Sequence, residues 1–186
     1  MTLNELPPAT QTQAHPHLDD WRTFLRAHAL LSRRLDDELR AEHGISLAEY
    51  DALVQLASAP GRRLRMNQLA DRVLLSRSGI TRLVDRLVAD EFVCRTQCSS
   101  DARGAEAVLT EAGMDRLRTA SPTHLRGVER YFLAPLSTQQ LTALGRSLGT
   151  LVGRLRQAVE PGSVEPGSVE PASGEPVPDD EDPTDD

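Results

Sequence analysis

Residues Leu69 to Arg86 read LADRVLLSRSGITRLVDR, and from Leu87 the chain continues LVADEFVCRTQCSSDARGAEAVLT to Thr110. Two short apolar-periodic segments meet across LLSR, a gap too short for anything but a tight helix-turn-helix corner. The spacing predicts one helix from near Met66 to Val73 and another from about Arg77 to Asp90, with Ser76 placed to cap the second. Leu69, Val73, Ile80, Val84 and Leu87 recur at intervals of four and three and form the inward face, and small Ala70 permits close approach. With that face buried, Arg77, Ser78, Thr81, Arg82 and, one turn on, Asp85 point away. Two arginines and two hydroxyls at the start of an exposed helix can donate to guanine edges, phosphates and thymine or adenine groups in a major groove. On an arbitrary helix the same arginines would only solubilise a surface. The corner in front of them favours recognition.

The next two runs, EFVCRTQ and GAEAVLT, suit short strands, and CSSDAR with Gly104 supplies the turn formers between them. A hairpin directly after a recognition helix is a wing. Arg103 at its tip can reach phosphates or the narrow minor groove, where negative potential is enhanced.

Outward from this centre, the chain of 186 residues, 39% of them hydrophobic, is long enough for one ordinary core with tails. No run approaches the roughly 20 apolar residues of a membrane-spanning helix, and the start lacks the features of a secretory signal, so a cytosolic protein is expected. Two cysteines are too few for a disulfide framework. All 21 basic residues are arginines. The formal charge of -7 hides an asymmetry, because ten acidic residues and no basic one follow from Glu160 onward, in a stretch that repeats VEPGS. Residues 1–159 hold 21 arginines against 18 acidic residues, a net of about +3. Residues 160–186 have almost nothing apolar to bury and are expected to be a disordered acidic tail, as residues 1–17 are expected to be a disordered arm. Such a tail could compete with DNA phosphate for the basic reading surface.

Between these ends the periodicity is helical. Asp19 and Asp20 suit a helix start, Trp21, Phe24, Leu25, Leu31 and Leu35 recur along about residues 19–43, and Gly44 is a stop signal. Ser46-Leu-Ala-Glu49 is a capping-box pattern opening a helix that Ala59-Pro60-Gly61 ends. Thr110 caps a fifth helix over 111 to about 133. Ser137 caps a sixth, whose Leu141, Leu144, Leu148, Leu151, Val152 and Leu155 lie on one stripe and call for a partner. Gly145, Gly149 and Gly153 are spaced by four on that helix, either as a smooth edge or simply as weak helix formers. The fold class is therefore mainly α with a small β-hairpin wing: a winged helix-turn-helix lobe over about 46–110, flanked by dimerisation helices at about 19–43 and 111–158.

From about Asp19 to Ala158 the chain resembles the MarR family of bacterial transcriptional regulators, most specifically in LADRVLLSRSGITRLVDRLVADEFVCRTQCSSDARGAEAVLTEAG. The resemblance implies a homodimer on double-stranded DNA, with Arg77, Ser78, Thr81 and Arg82 in the major groove. It implies that Asp101 shapes the wing and that Arg103 enters the minor groove. It also implies a ligand-responsive repressor binding a pseudo-palindromic operator, released by a small phenolic or acidic effector in a crevice that Trp21, His28 and Asp51 can line. Plainer roles for these three are a core anchor, an ordinary histidine and a first-turn acid.

Cys94 and Cys98 offer oxidant sensing as an alternative. Four residues apart in a strand they face one side but stand about 13 Å apart, so a disulfide requires the wing to bend. Arg95 can lower the Cys94 pKa, although two small half-buried residues explain the pair equally well. A winged-helix module for protein interaction, without DNA, is a further alternative that Arg77, Arg82 and Arg103 argue against. No phosphate loop, nucleophile elbow or metal-ligand spacing points to an enzyme, a metal or a cofactor.

Overall fold

The computed structural model describes residues 17–98 and 101–159, the side chains of 97–104 and 158–159 aside. The expected arm up to residue 16 and the acidic tail from Glu160 lie outside the described residues. The chain divides near Leu141 into two compact units.

The first unit holds α1 (Leu18–His43), α2 (Leu47–Ala57), a 3-10 turn (Pro60–Arg62), β1 (Arg63–Arg65), α3 (Met66–Arg72), α4 (Arg77–Ala89), β2 (Val93–Cys98), β3 (Asp101–Leu109), α5 (Glu111–Val128) and a π-helical turn (Glu129–Leu133). The second holds nearly all of α6 (Thr138–Val159). This is the expected mainly helical fold with a small antiparallel sheet. The sheet has three strands in the order β1-β3-β2. The third is β1, which sequence reading missed because only Leu64, 6% exposed, interrupts its arginines; it pairs with Ala107 on β3. Three residues are too few to show a period. The fifth helix gives way to the π turn at Glu129, earlier than the expected end near residue 133.

The predicted caps close the helices. α1 stops at Gly44, whose φ of 69° is the left-handed value that needs no Cβ. At the start of α2 the Ser46 hydroxyl accepts the Glu49 N–H (3.2 Å), and the Glu49 carboxylate accepts the Ser46 N–H (2.8 Å). Thr110 caps α5 at Gly113 (3.0 Å), and its own hydroxyl donates to the Glu91 carbonyl (2.7 Å), fastening the helix to the base of the hairpin. Gly113 itself is a close-approach glycine, since a Cβ there would run into the Phe92 carbonyl oxygen and stand 2.7 Å from Leu109 Cδ1.

The core lies among α2, α3, α4, the sheet, the C-terminal end of α1 and the face of α5 that carries Leu117 and Ala120. Leu39, Leu53, Leu69, Val84 and Leu87 are fully buried there. Burying one such side chain stabilises by about 1.5–3 kcal/mol. The N-terminal half of α1 is different, with Trp21 53%, Phe24 40% and Leu25 45% exposed. On α6, Leu151 is 45%, Val152 46% and Leu155 57% exposed.

Candidate nucleic-acid interface

Helix α4 begins where Ser76 Oγ accepts the Gly79 N–H (3.1 Å). Ile80, Leu83, Val84 and Leu87 are buried, so the 3.6-residue period turns Arg77, Ser78, Thr81, Arg82 and Asp85 to the surface, where all five are exposed. The sequence pattern had missed Leu83, which fills the same inward face. The Thr81 hydroxyl donates to the Arg77 carbonyl (2.9 Å), which leaves its methyl and oxygen lone pairs as what it can offer outward. Neither the Arg77 nor the Arg82 guanidinium is tied to a carboxylate among the described residues.

Two further arginines are tied: Arg86, to which sequence reading gives no role, and Arg95. Arg86 donates its Nε to Glu49 Oε1 on α2 (2.6 Å) and a terminal nitrogen to the Arg82 carbonyl (3.4 Å). Burial pushes the Glu49 carboxyl up, and the Ser46 N–H, Arg86 and the Ser46 hydroxyl together outweigh it and hold the group below its ordinary value. Arg95 on β2 donates to Asp85 (2.6 Å) and to the Thr81 carbonyl (3.2 Å), fastening the hairpin to α4. Its guanidinium is thus engaged on α4, whereas the sequence had suggested it as a neighbour acting on Cys94. Successive strand residues point to opposite faces. Cys94 is exposed, and the side chain of Cys98 lies outside the described residues. The wing strands pair from Val93 and Leu109 out to Gln97 and Ala105. Asp101 and Arg103 belong to β3, and their side chains lie outside those described.

A cavity of about 1010 Å³ opens within the first unit, and His28, Asp36, Leu47, Tyr50, Asp51 and His124 are on its wall. The structure therefore brings His28 and Asp51 together and leaves Trp21 out. Trp21 lies two turns earlier on α1, about 10 Å along the axis, and is neither a core anchor nor a cavity residue; its exposed ring stacks on Phe24 at 5.9 Å. His124 takes its place. The imidazole stacks on Tyr50 at 4.5 Å, and its buried Nδ1 has no hydrogen-bond partner among the described residues. Burial pushes its pKa down, and the charge of Asp51 opposes the shift. A lone histidine in SPTHL carries no sequence signal of this position. Asp36 holds the Leu47 N–H (2.8 Å) and Arg40 (2.6 Å). Burial pushes this carboxyl up too, and the two hydrogen bonds bring it below its ordinary value.

Comparisons with known proteins bear on this geometry. The model of the MarR family matches residues 43–104. The HTH-type transcriptional regulator YkoM of Bacillus subtilis is 30% identical over 131 residues, 69% of this chain and 83% of that one. The transcriptional repressor YetL of the same organism is 30% identical over 115 residues, 62% of this chain and 68% of its own. Among solved structures, AbsC, a MarR family regulator from Streptomyces coelicolor, superposes with a TM-score of 0.72 at 33% identity, covering 80% of this chain and 99% of that one. Sco3205, another from that organism and solved in complex with DNA, gives 0.70 at 33% identity over 80% of this chain and 94% of its own.

Proposed function

This chain belongs to the MarR family of transcriptional regulators, and from that premise we propose that it is a ligand-responsive repressor that grips a pseudo-palindromic operator as a homodimer. The observation that carries the reading is the outer face of α4: Arg77, Ser78, Thr81 and Arg82 are exposed together, and both guanidinium groups are uncommitted among the described residues. An unpaired arginine fork matches guanine O6 and N7. The lobe of about 46–110 reads DNA through these four side chains in the major groove, while Asp101 shapes the wing and Arg103 contacts the minor groove. The helices of about 19–43 and 111–158 join two copies, which is the simplest cover for Trp21, Phe24, Leu25, Leu151, Val152 and Leu155. A small acidic or phenolic effector fits the cavity, where His28 and Arg33 offer donors on a mainly apolar wall.

Selection of duplexes from a random library followed by footprinting tests the reading. Two half-sites centred about 10 base pairs apart are expected, with a dimer in sedimentation at micromolar concentration. A single asymmetric half-site or a monomer would overturn it. Arg82→Ala should cost about 1–3 kcal/mol and relax preference at one position per half-site. Arg103→Ala should instead weaken binding evenly across sequences and flatten its salt dependence.

A further inference from the structure

The reading face of α4 and the wall of the cavity are joined by a series of charged contacts that neither needs for itself. Asp36, on α1 and on the cavity wall, receives the N–H of Leu47, the first residue of α2, at 2.8 Å. Two residues further on, Glu49 divides its carboxylate. One oxygen takes the Ser46 N–H at 2.8 Å, and the other takes Arg86 Nε at 2.6 Å. Arg86 stands on α4 one turn beyond Arg82, so the series ends on the helix that carries the groove-facing side chains.

The capping box alone does not explain this glutamate. A glutamine at the third helical position closes the box equally well, because only one side-chain oxygen is used. Glu49 is 7% exposed, and a carboxylate so buried is costly unless it is paired. Its second oxygen is spent on Arg86, at a distance that fixes both ends. Asp36 is likewise more than a surface acid, because it supplies an acceptor that the first turn of α2 lacks within its own helix. The N-terminal end of α2 is thus held on one side by the cavity wall and on the other by the recognition helix.

We propose that Glu49 is a positioning residue for DNA reading: with Asp36 and Arg86 it sets the pose of α4 against the α1–α2 corner, so that a displacement of the cavity wall reaches the groove-facing end of α4. This rests on the operator reading above and adds the route by which an occupant of the cavity alters it. Contacts that act in series lose their effect together, whereas independent structural contacts add.

The test uses the full chain and the duplex that the wild-type protein enriches from a random library. Binding to that duplex and to a random duplex is measured by fluorescence anisotropy for Glu49→Gln, Asp36→Asn and the double variant, with thermal melts of each. Each single variant should lower the ratio of enriched to random affinity about tenfold with random-duplex binding unchanged, and the double should fall no further than the worse single. Arg86→Lys keeps the charge and loses the Nε contact, and it should lower the same ratio even where Glu49→Gln fails to fold. An unchanged ratio, an equal loss on both duplexes, or losses that multiply in the double variant would overturn the proposal while leaving the operator reading intact. A wild-type chain that enriches no duplex would sink the operator reading and this inference with it.

Discussion

Helices α4 and α6 carry the same kind of apolar stripe, with opposite fates. In α4, Ile80 and Leu83 are 2% exposed and Val84 and Leu87 are completely buried. In α6, Leu151, Val152 and Leu155 remain 45–57% exposed, and the N-terminal half of α1 shows the same exposure around Trp21 and Leu25. Periodicity tells which face of a helix seeks apolar surroundings, but not whether one chain supplies them. The reading lobe satisfies its stripe internally. The N-terminal half of α1 and the C-terminal half of α6 leave theirs exposed, and that exposure is the observation behind the proposed homodimer.

The strongest way to break this contrast is to truncate one leucine in each region. Leu87→Ala should lower unfolding free energy by about 2–5 kcal/mol, because it opens a cavity in a filled core. Leu155→Ala should cost far less in the unfolding of a single chain and should instead weaken self-association in sedimentation. Equal losses of unfolding free energy in dilute, monomeric samples would mean that the α6 stripe is a core element after all.

A glycine in each region gives a smaller and sharper test. At Gly113 a side chain would meet the Phe92 carbonyl and Leu109, so Gly113→Ala should destabilise by about 1–3 kcal/mol or more through overpacking. At Gly149 a Cβ meets nothing within 4 Å, so Gly149→Ala should stabilise the single chain by about 1 kcal/mol through helix propensity. A melting temperature that falls with Gly149→Ala only at concentrations where the protein is a dimer would place the second copy against this edge.

These pairs also show what the sequence made legible. The corner, the caps at Ser46, Ser76 and Thr110, and the outward set on α4 were readable because each depends on neighbours within one or two turns. Strand β1 was not, being three residues held by Val108, Ala107 and Glu106 far along the chain. The exposure of Trp21 was not readable, because a hydrophobic pattern does not say whether one chain covers the face it marks. The Glu49–Arg86 and Arg95–Asp85 pairs join residues 37 and 10 positions apart, and charged residues carry no period that would announce such pairing. His124 became visible only when α5 brought it onto Tyr50.

The cavity opens within the first unit, and its histidine gives a slope with pH. The folded His124 pKa lies below the ordinary 6.5, because burial disfavours the imidazolium. The unfolded chain therefore takes up this proton first, and stability should be complete above about pH 7 and decline as pH falls through 6.5. Asp36 and Glu49 act lower: their folded values lie below 3.8 and 4.5, so their contribution is lost only as pH falls beneath that range. His124→Phe preserves a ring against Tyr50 and should flatten the decline between pH 7 and 5 in denaturant titrations. A slope that persists in this variant would assign the decline to another group.

The smallest expected effect concerns an apolar residue in the reading lobe that is exposed for a different reason from those of the flanking helices. Leu74, in the corner between α3 and α4, is 90% exposed with a φ of 55°. Its exposure follows from the backbone, since a left-handed residue in a tight turn directs its side chain away from both helices. The left-handed conformation costs a non-glycine residue about 1–2 kcal/mol. Glycine would remove that cost while adding about 0.5–1 kcal/mol of chain entropy to be lost on folding. Leu74→Gly should therefore raise the unfolding free energy by about 0–1.5 kcal/mol, with no change in dimerisation, whereas replacing Leu151 or Leu155 should alter dimerisation. Reduced stability or weakened self-association in Leu74→Gly would show that this leucine, too, has a partner, and would remove the distinction between strain and an unfilled interface.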